Sequence, residues 1–304
     1  MITHHLAYRR YALPLRAPVR TAHGVMDVRE GLILRGERED GQIGFGEVSP
    51  LAGFGRETVD ADEAFLRTLG DSVAEAALAV VPADAGSLGQ ALAAALGRAP
   101  LPVRKDYLPV SALLPAGRTV LDRIEPLAEA GFRTFKWKVG VGDAADERAL
   151  LDDVLGRLPD GARLRLDANG AWDRRTAERW LARCADYPIE HVEQPIAADA
   201  RGSADLLMGL AGDFPTPVAL DESLVGSGDL EAWLDRGWPG IFVIKPTLFD
   251  DPAAALARLG AARARVVFSS ALETAVGARA ALRMAFAWEG EPRASGAPYV
   301  RAIG

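Results

Sequence analysis

From Leu108 onward the chain repeats one unit, a short apolar strand followed by an amphipathic helix, about every 25 residues. The strands read as Leu108–Leu114, Thr134–Val139, Arg163–Asp167, His191–Glu193, Val218–Asp221, Ile241–Lys245 and Val266–Ser269. Helical periodicity fills stretches between them, such as Asp146–Leu158, Arg174–Ala185 and Pro252–Arg263. A strand-helix repeat of this kind folds into a closed barrel or an open parallel sheet, and little else. The expected fold class is therefore α/β, a TIM-type (β/α) barrel. Its last strand is the open question: before Gly304 only Arg293–Gly296 offers a weak candidate.

The first third of the chain reads differently. Glu30–Arg35 and Ile43–Glu47 alternate like strands around Asp40-Gly41, a hairpin signal. Helical stretches follow at about Glu57–Leu69 and Ser87–Leu96, and Arg98–Val103 carries two prolines, as connectors do. We expect an α+β domain over residues 1–104 and the barrel over 105–304, with the option that the last residues return to the first domain.

Composition narrows the function. A net charge of −7 with dispersed Arg and Lys offers no basic stripe, so nucleic acid is not an expected partner. No apolar run is long enough for a bilayer and the start lacks a signal-peptide pattern, so a cytoplasmic protein without membrane partners is expected. Cys184 is the only cysteine, which excludes an intrachain disulfide and a thiolate metal cluster and leaves it to pack on a helix.

The chemistry sits at the strand ends. Four strands finish in a charged residue and then a loop former: Asp167-Ala168-Asn169-Gly170, Glu193-Gln194-Pro195, Asp221-Glu222-Ser223 and Lys245-Pro246. In a parallel barrel these ends open on one face, where barrel enzymes carry their active sites. Along Thr134–Val139 strand alternation puts Phe135, Trp137 and Val139 on one face and Lys136 and Lys138 on the other, pointing inward. Two inward ammonium groups need anions, and Asp167, Glu193 and Asp221 are in reach. Three converging carboxylates in turn need a cation. Ligation by oxygen alone favours Mg²⁺, with Mn²⁺ as the alternative. A lone strand-terminal acid is more often a helix cap, and a lone Lys-x-Lys more often a solvated edge. Here the elements coincide on successive units. Arg165, inward by alternation with Asp167, and Ser270, after the seventh strand, are candidates to bind substrate oxygens, with Arg165 equally open to a structural role as partner of a barrel carboxylate. His23 and His191 receive no catalytic role. Glu222, by alternation with Asp221, should support the site from behind.

At these residues the sequence resembles the enolase superfamily, in its muconate-lactonising subgroup, which has Lys-x-Lys on the second barrel strand and a lysine ending the sixth. Within it the likeness is to the o-succinylbenzoate synthase family, through Gly46-Glu47-Val48-Ser49-Pro50-Leu51-Ala52-Gly53-Phe54, Leu164–Trp172, Val192–Pro195, Ala219–Ser223 and Ser269–Glu273. The resemblance implies that residues 1–104 cap the barrel, with a loop at about Thr21–Met26 closing over its mouth. It implies Mg²⁺, a small carboxylate substrate, and syn elimination of water from 2-succinyl-6-hydroxy-2,4-cyclohexadiene-1-carboxylate. In that family the second lysine of the pair, here Lys138, takes the proton and gives it to the leaving hydroxyl, while Lys245 stabilises the intermediate from the other face. The superfamily pairs a Lys or His base with Mg²⁺. N-acylamino acid racemase and dipeptide epimerase are the related alternatives, the second disfavoured because no Asp-x-Asp stands near the end to grip an amine. A non-catalytic metal-binding scaffold is the remote one.

Overall fold

The protein is described from a computed structural model, which covers residues 3–21, 24–98, 101–104, 107–291 and 295–296. The first domain is an antiparallel sheet of β1 (Thr3–Thr21), β2 (Gly24–Arg38), β3 (Ile43–Val48) and β4 (Ser72–Ala74), in the order β3-β2-β1-β4. Helices α1 (Val59–Leu69) and α2 (Gly86–Ala95) complete it. The Asp40-Gly41 turn joins β2 to β3, with Gly41 at φ +83°. Glycine recurs on this hairpin for a packing reason. A Cβ at Gly36, Gly44 or Gly46 would run into the backbone of α2 at Ala91 to Ala95. The Ala-rich helix thus lies directly on the strands, with Leu32, Leu34, Leu88 and Leu92 fully buried between.

Seven parallel strands follow: β5 (Val110–Leu114), β6 (Thr134–Lys138), β7 (Arg163–Asp167), β8 (Ile189–Glu193), β9 (Val218–Leu220), β10 (Ile241–Ile244) and β11 (Arg265–Phe268). They lie in sequence order. An eighth, β12 (Ser295–Gly296), pairs in parallel with β5 and lies next to β11. The weak candidate for the last strand is therefore two paired residues long, Arg293 and Ala294 lying outside the described residues. The outer strand faces and the helices α3 (Leu121–Glu129), α4 (Ala144–Arg157), α5 (Arg174–Cys184), α6 (Ser203–Asp213), α7 (Ser227–Asp235), α8 (Pro252–Ala261) and α9 (Ala275–Ala287) share one core, which includes Phe135, Trp137, Val139 and Cys184. Burial pushes the Cys184 thiol up to about 12. Helix starts are set by side chains: Asp143, Asp173 and Asp251 accept backbone N–H groups at the first turns of α4, α5 and α8. Asp167 and Asp221 are not these caps.

The expected domain boundary falls at Lys105, outside the described residues, as do His23 and residues 297–304 at the C-terminal end. Glu47 ties the two domains. From the end of β3 its carboxylate accepts the Tyr11 hydroxyl (2.6 Å), the Thr274 hydroxyl, and the backbone N–H groups of Thr274 and Gly277 (both 2.8 Å) at the start of α9. No helix among the described residues is long and apolar enough to cross a membrane.

Candidate active site

Alternation along β6 turns Lys136 and Lys138 toward the barrel interior while Phe135 and Trp137 pack outside. The in-register neighbour of Lys138 on β7 is Asp167, and that of Asp167 on β8 is Glu193. Side chains on adjacent parallel strands thereby meet at one height, and Asp221 joins them just past the end of β9. One carboxylate oxygen from each of Asp167, Glu193 and Asp221 lies within 4.8 Å of the others, and all three residues are buried. Lys136 Nζ contacts Asp167 at 2.7 Å and Glu193 at 2.5 Å; Lys138 Nζ contacts Asp167 at 2.6 Å. Lys245, just past β10, forms an ion pair with Asp221 from the other wall. The structure thus brings together all six residues for which catalysis or metal binding was expected.

The electrostatics are those of a crowded, buried charge cluster. Burial alone would raise the Asp167 carboxyl, but Lys136 and Lys138 together hold it well below the usual carboxylate range. Burial alone would lower the Lys136 ammonium; Asp167, Glu193 and Asp221 outweigh it and keep the group charged above the usual lysine range. Asp221 goes the other way. Burial, Glu193 and Asp167 push it up to about 6 against the pull of Lys245 and Lys136. Carboxylate oxygens crowded this way, with no nitrogen or sulfur donor in the set, fit a hard oxygen-seeking ion.

Three residues around this cluster were not given these positions by the sequence. Asn169, at φ +45°, accepts a hydrogen bond from Lys138 Nζ (2.8 Å) and donates to Glu222 (2.8 Å). Glu222 lines the cavity. Alternation fails for it because β9 already ends at Leu220. Gln194, at φ +38°, ties the ends of β8 and β9: its amide oxygen accepts the N–H groups of Asp221 (2.9 Å) and Ser223 (3.1 Å). The loop formers after each strand are the only signal for these roles, and they carry no chemistry of their own.

Arg165 sits at a different level from the other candidates. It points inward as alternation requires, but two residues below Asp167, roughly 6–7 Å deeper. There it is 1% exposed, pairs with Glu190 at 2.8 Å, and is not among the residues lining the cavity. The carboxylate it pairs with is that of a neighbouring barrel strand. His191 is buried one strand over, 3.7 Å from Glu193. Ser270 does reach the cavity, its hydroxyl donating to Glu273 (3.0 Å) and accepting from Leu272 N–H (2.8 Å).

The cavity measures about 520 Å³ and is built by both domains. The barrel supplies Ser111, Leu113, Lys136, Lys138, Asn169 and Lys245, and the first domain covers it with Gly24, Val25 and Met26 at the start of β2 and with Leu51 and Phe54. That volume suits a small organic molecule. A capped barrel of this build, with lysines on two walls of a carboxylate cluster, defines the enolase class of fold and site. In agreement, residues 119–300 match the family model described as Enolase C-terminal domain-like, and residues 3–95 match that of MenC, N-terminal domain.

Among curated proteins, the o-succinylbenzoate synthase of Thermosynechococcus vestitus is 43% identical, over 93% of this chain and 88% of its own. That of Thermobifida fusca is 32% identical, over 97% and 81%. A hydrophobic dipeptide epimerase of Roseobacter litoralis is 30% identical over 73% and 70%. Among solved structures, o-succinylbenzoate synthase from Thermosynechococcus elongatus, complexed with magnesium in its active site, superposes with a TM-score of 0.85 at 40% identity, covering 96% of this chain and 92% of that one. The L-Ala-D/L-Glu epimerase of Bacillus subtilis, at 24% identity and a TM-score of 0.84 over 97% and 89%, shares the fold. The chain belongs to the o-succinylbenzoate synthase family of the enolase superfamily.

Proposed function

We propose that this chain is a magnesium-dependent o-succinylbenzoate synthase, a hydro-lyase that converts 2-succinyl-6-hydroxy-2,4-cyclohexadiene-1-carboxylate to 2-succinylbenzoate and water in menaquinone biosynthesis. The observation that carries this reading is the placement of lysines on two walls of one buried three-carboxylate cluster. Asp167, Glu193 and Asp221 would hold Mg²⁺, which when bound supplies positive charge beside the substrate carboxylate. Lys138, as the neutral amine, takes the proton from the carbon bearing that carboxylate and passes it to the hydroxyl leaving from the same face. Asn169, held by Glu222, aims that amine. Lys136 stays charged between Asp167 and Glu193 and keeps them in place. Lys245 faces the planar, electron-rich intermediate from the opposite wall. Ser270, on the cavity wall, takes part in holding the substrate's oxygens.

Lysines on two walls also suit proton exchange on both faces of an N-acylamino acid, the second activity this geometry supports. The reading implies a cytoplasmic enzyme whose partner is a small carboxylate; the net charge of −7 argues against nucleic acid. The test is turnover of the cyclohexadiene substrate by purified protein with and without Mg²⁺, run beside N-succinyl amino acids in D₂O. Product formation that needs Mg²⁺ supports the reading. Rapid solvent exchange of the amino acids with no dehydration would replace the synthase by a racemase.

A further inference from the structure

Phe54 belongs to the first domain, yet its ring lies 4.1 Å from the Nζ of Lys245. The turn that delivers it is specific. Phe54 follows Gly53 and precedes Gly55, at φ +84° and +73°, and its N–H closes onto Leu51 C=O at 2.9 Å. A Cβ at Gly55 would press on Val225 at 3.0 Å, so the turn is wedged against the loop after β9. Phe54 and Leu51 pack there with Leu248 and Ala271, from the loops after β10 and β11. Lys245 is 5% exposed: Asp221 takes one side of its ammonium and the Phe54 face another. An ammonium stripped of water needs replacement partners, and an aromatic face is worth most to a cation when both are desolvated.

We propose that Phe54 is a positioning residue that holds the Lys245 ammonium by a cation–π contact, so that the charge faces the cavity only when the first domain is seated on the barrel. The proposal deepens the functional reading above and rests on it for the role of Lys245. Ring electrons, beyond apolar bulk, are what it requires of position 54.

Lysine occurs only at positions 105, 136, 138 and 245, so the full-length protein labelled with [¹³Cε]lysine gives four methylene signals, assignable by substitution. The Lys245 signal should be displaced upfield by the ring, and Phe54→Leu should abolish the displacement while the Lys136 and Lys138 signals stay as in the folded wild type. Replacing Phe54 with mono-, di- and trifluorophenylalanine keeps the shape and drains the ring face. Log kcat for dehydration should then fall stepwise, reaching roughly 3- to 30-fold for the trifluoro form, with KM changing less. A flat kcat across the series, with wild-type dehydration intact, would overturn the proposal and leave Phe54 as packing. An unshifted Lys245 signal would overturn it as well. If the wild type performs no dehydration, the functional reading has failed instead, and the lysine spectrum still decides the contact.

Discussion

Two levels of one barrel interior carry buried ion pairs, and they use different cations. At the mouth Lys136, Lys138 and Lys245 pair with Asp167, Glu193 and Asp221; two residues deeper, Arg165 pairs with Glu190. The difference is chemical. Guanidinium stays protonated at any pH a protein survives and locks a carboxylate in place, whereas an amine can give up its proton and turn base. Around them the interior becomes apolar, with Ala219, Ile241, Val243 and Val267 packed between β9, β10 and β11. The floor is built to stay as it is, and the mouth to exchange protons and charge.

The sharpest way to break the comparison is to move the floor's cation to the mouth. Lys138→Arg keeps the charge beside Asp167 but removes the amine proposed as base. Dehydration should drop by about 10²–10⁴-fold in kcat, the range for loss of a general acid–base group. Near-normal steady-state rates would end the assignment of Lys138 as base.

The converse change strikes the floor. Arg165→Met breaks the buried Arg165–Glu190 pair, and breaking a buried pair costs about 3–5 kcal/mol. Denaturant unfolding should register that loss, while kcat/KM per folded molecule stays within a few-fold of wild type. A large loss of kcat/KM at unchanged stability would return Arg165 to the role of substrate ligand.

Asp221 supplies a pH test of the mouth. Its carboxyl is raised to about 6 in the folded chain, against an ordinary value near 4. Between those pH values the folded chain holds a proton that the unfolded chain has lost, so metal-free stability should fall as pH rises through that window. Mg²⁺ competes with the same proton. Its affinity should therefore climb by about tenfold per pH unit below 6 and level off above. Titration calorimetry across pH 5–8 measures this, and a flat profile would remove Asp221 from the ligand set.

Much of this arrangement could be read from the chain because strand alternation is rigid. Once Thr134–Val139 is a strand with Phe135 and Trp137 outside, the lysines have nowhere to point but inward. The same logic failed at Glu222, where β9 stops a residue before Asp221, and for the depth of Arg165, because alternation gives the side and not the level. Asn169 and Gln194 act from positive-φ turns that periodicity does not describe. Phe54 is one aromatic residue in a glycine turn, and only tertiary packing brings it to Lys245. Lysine usage carries a further signal. The chain has 35 Lys and Arg together yet lysine at four positions, three of them at this site, so scarce lysine marks the site.

The smallest expected effect belongs to Ser270, also at the mouth. Its hydroxyl is already engaged, donating to Glu273 and accepting from Leu272 N–H, while its residue borders the cavity. Ser270→Ala therefore removes one donor to Glu273 and leaves the Leu272 N–H seeking a new acceptor. A neutral hydrogen bond contributes about 0.5–1.5 kcal/mol. If the hydroxyl or the loop it braces contacts substrate equally in ground and transition states, the loss appears as KM raised about 2- to 10-fold with kcat unchanged. Glu273 provides the control, because burial and the nearby Glu47 raise its carboxyl and the Ser270 hydroxyl opposes that rise. Without the hydroxyl Glu273 should hold its proton to higher pH, so the KM penalty should be constant across pH if it comes from substrate contact. A penalty that varies with pH would trace it to Glu273 and the loop, and would move Ser270 from the substrate's partners to those of the wall.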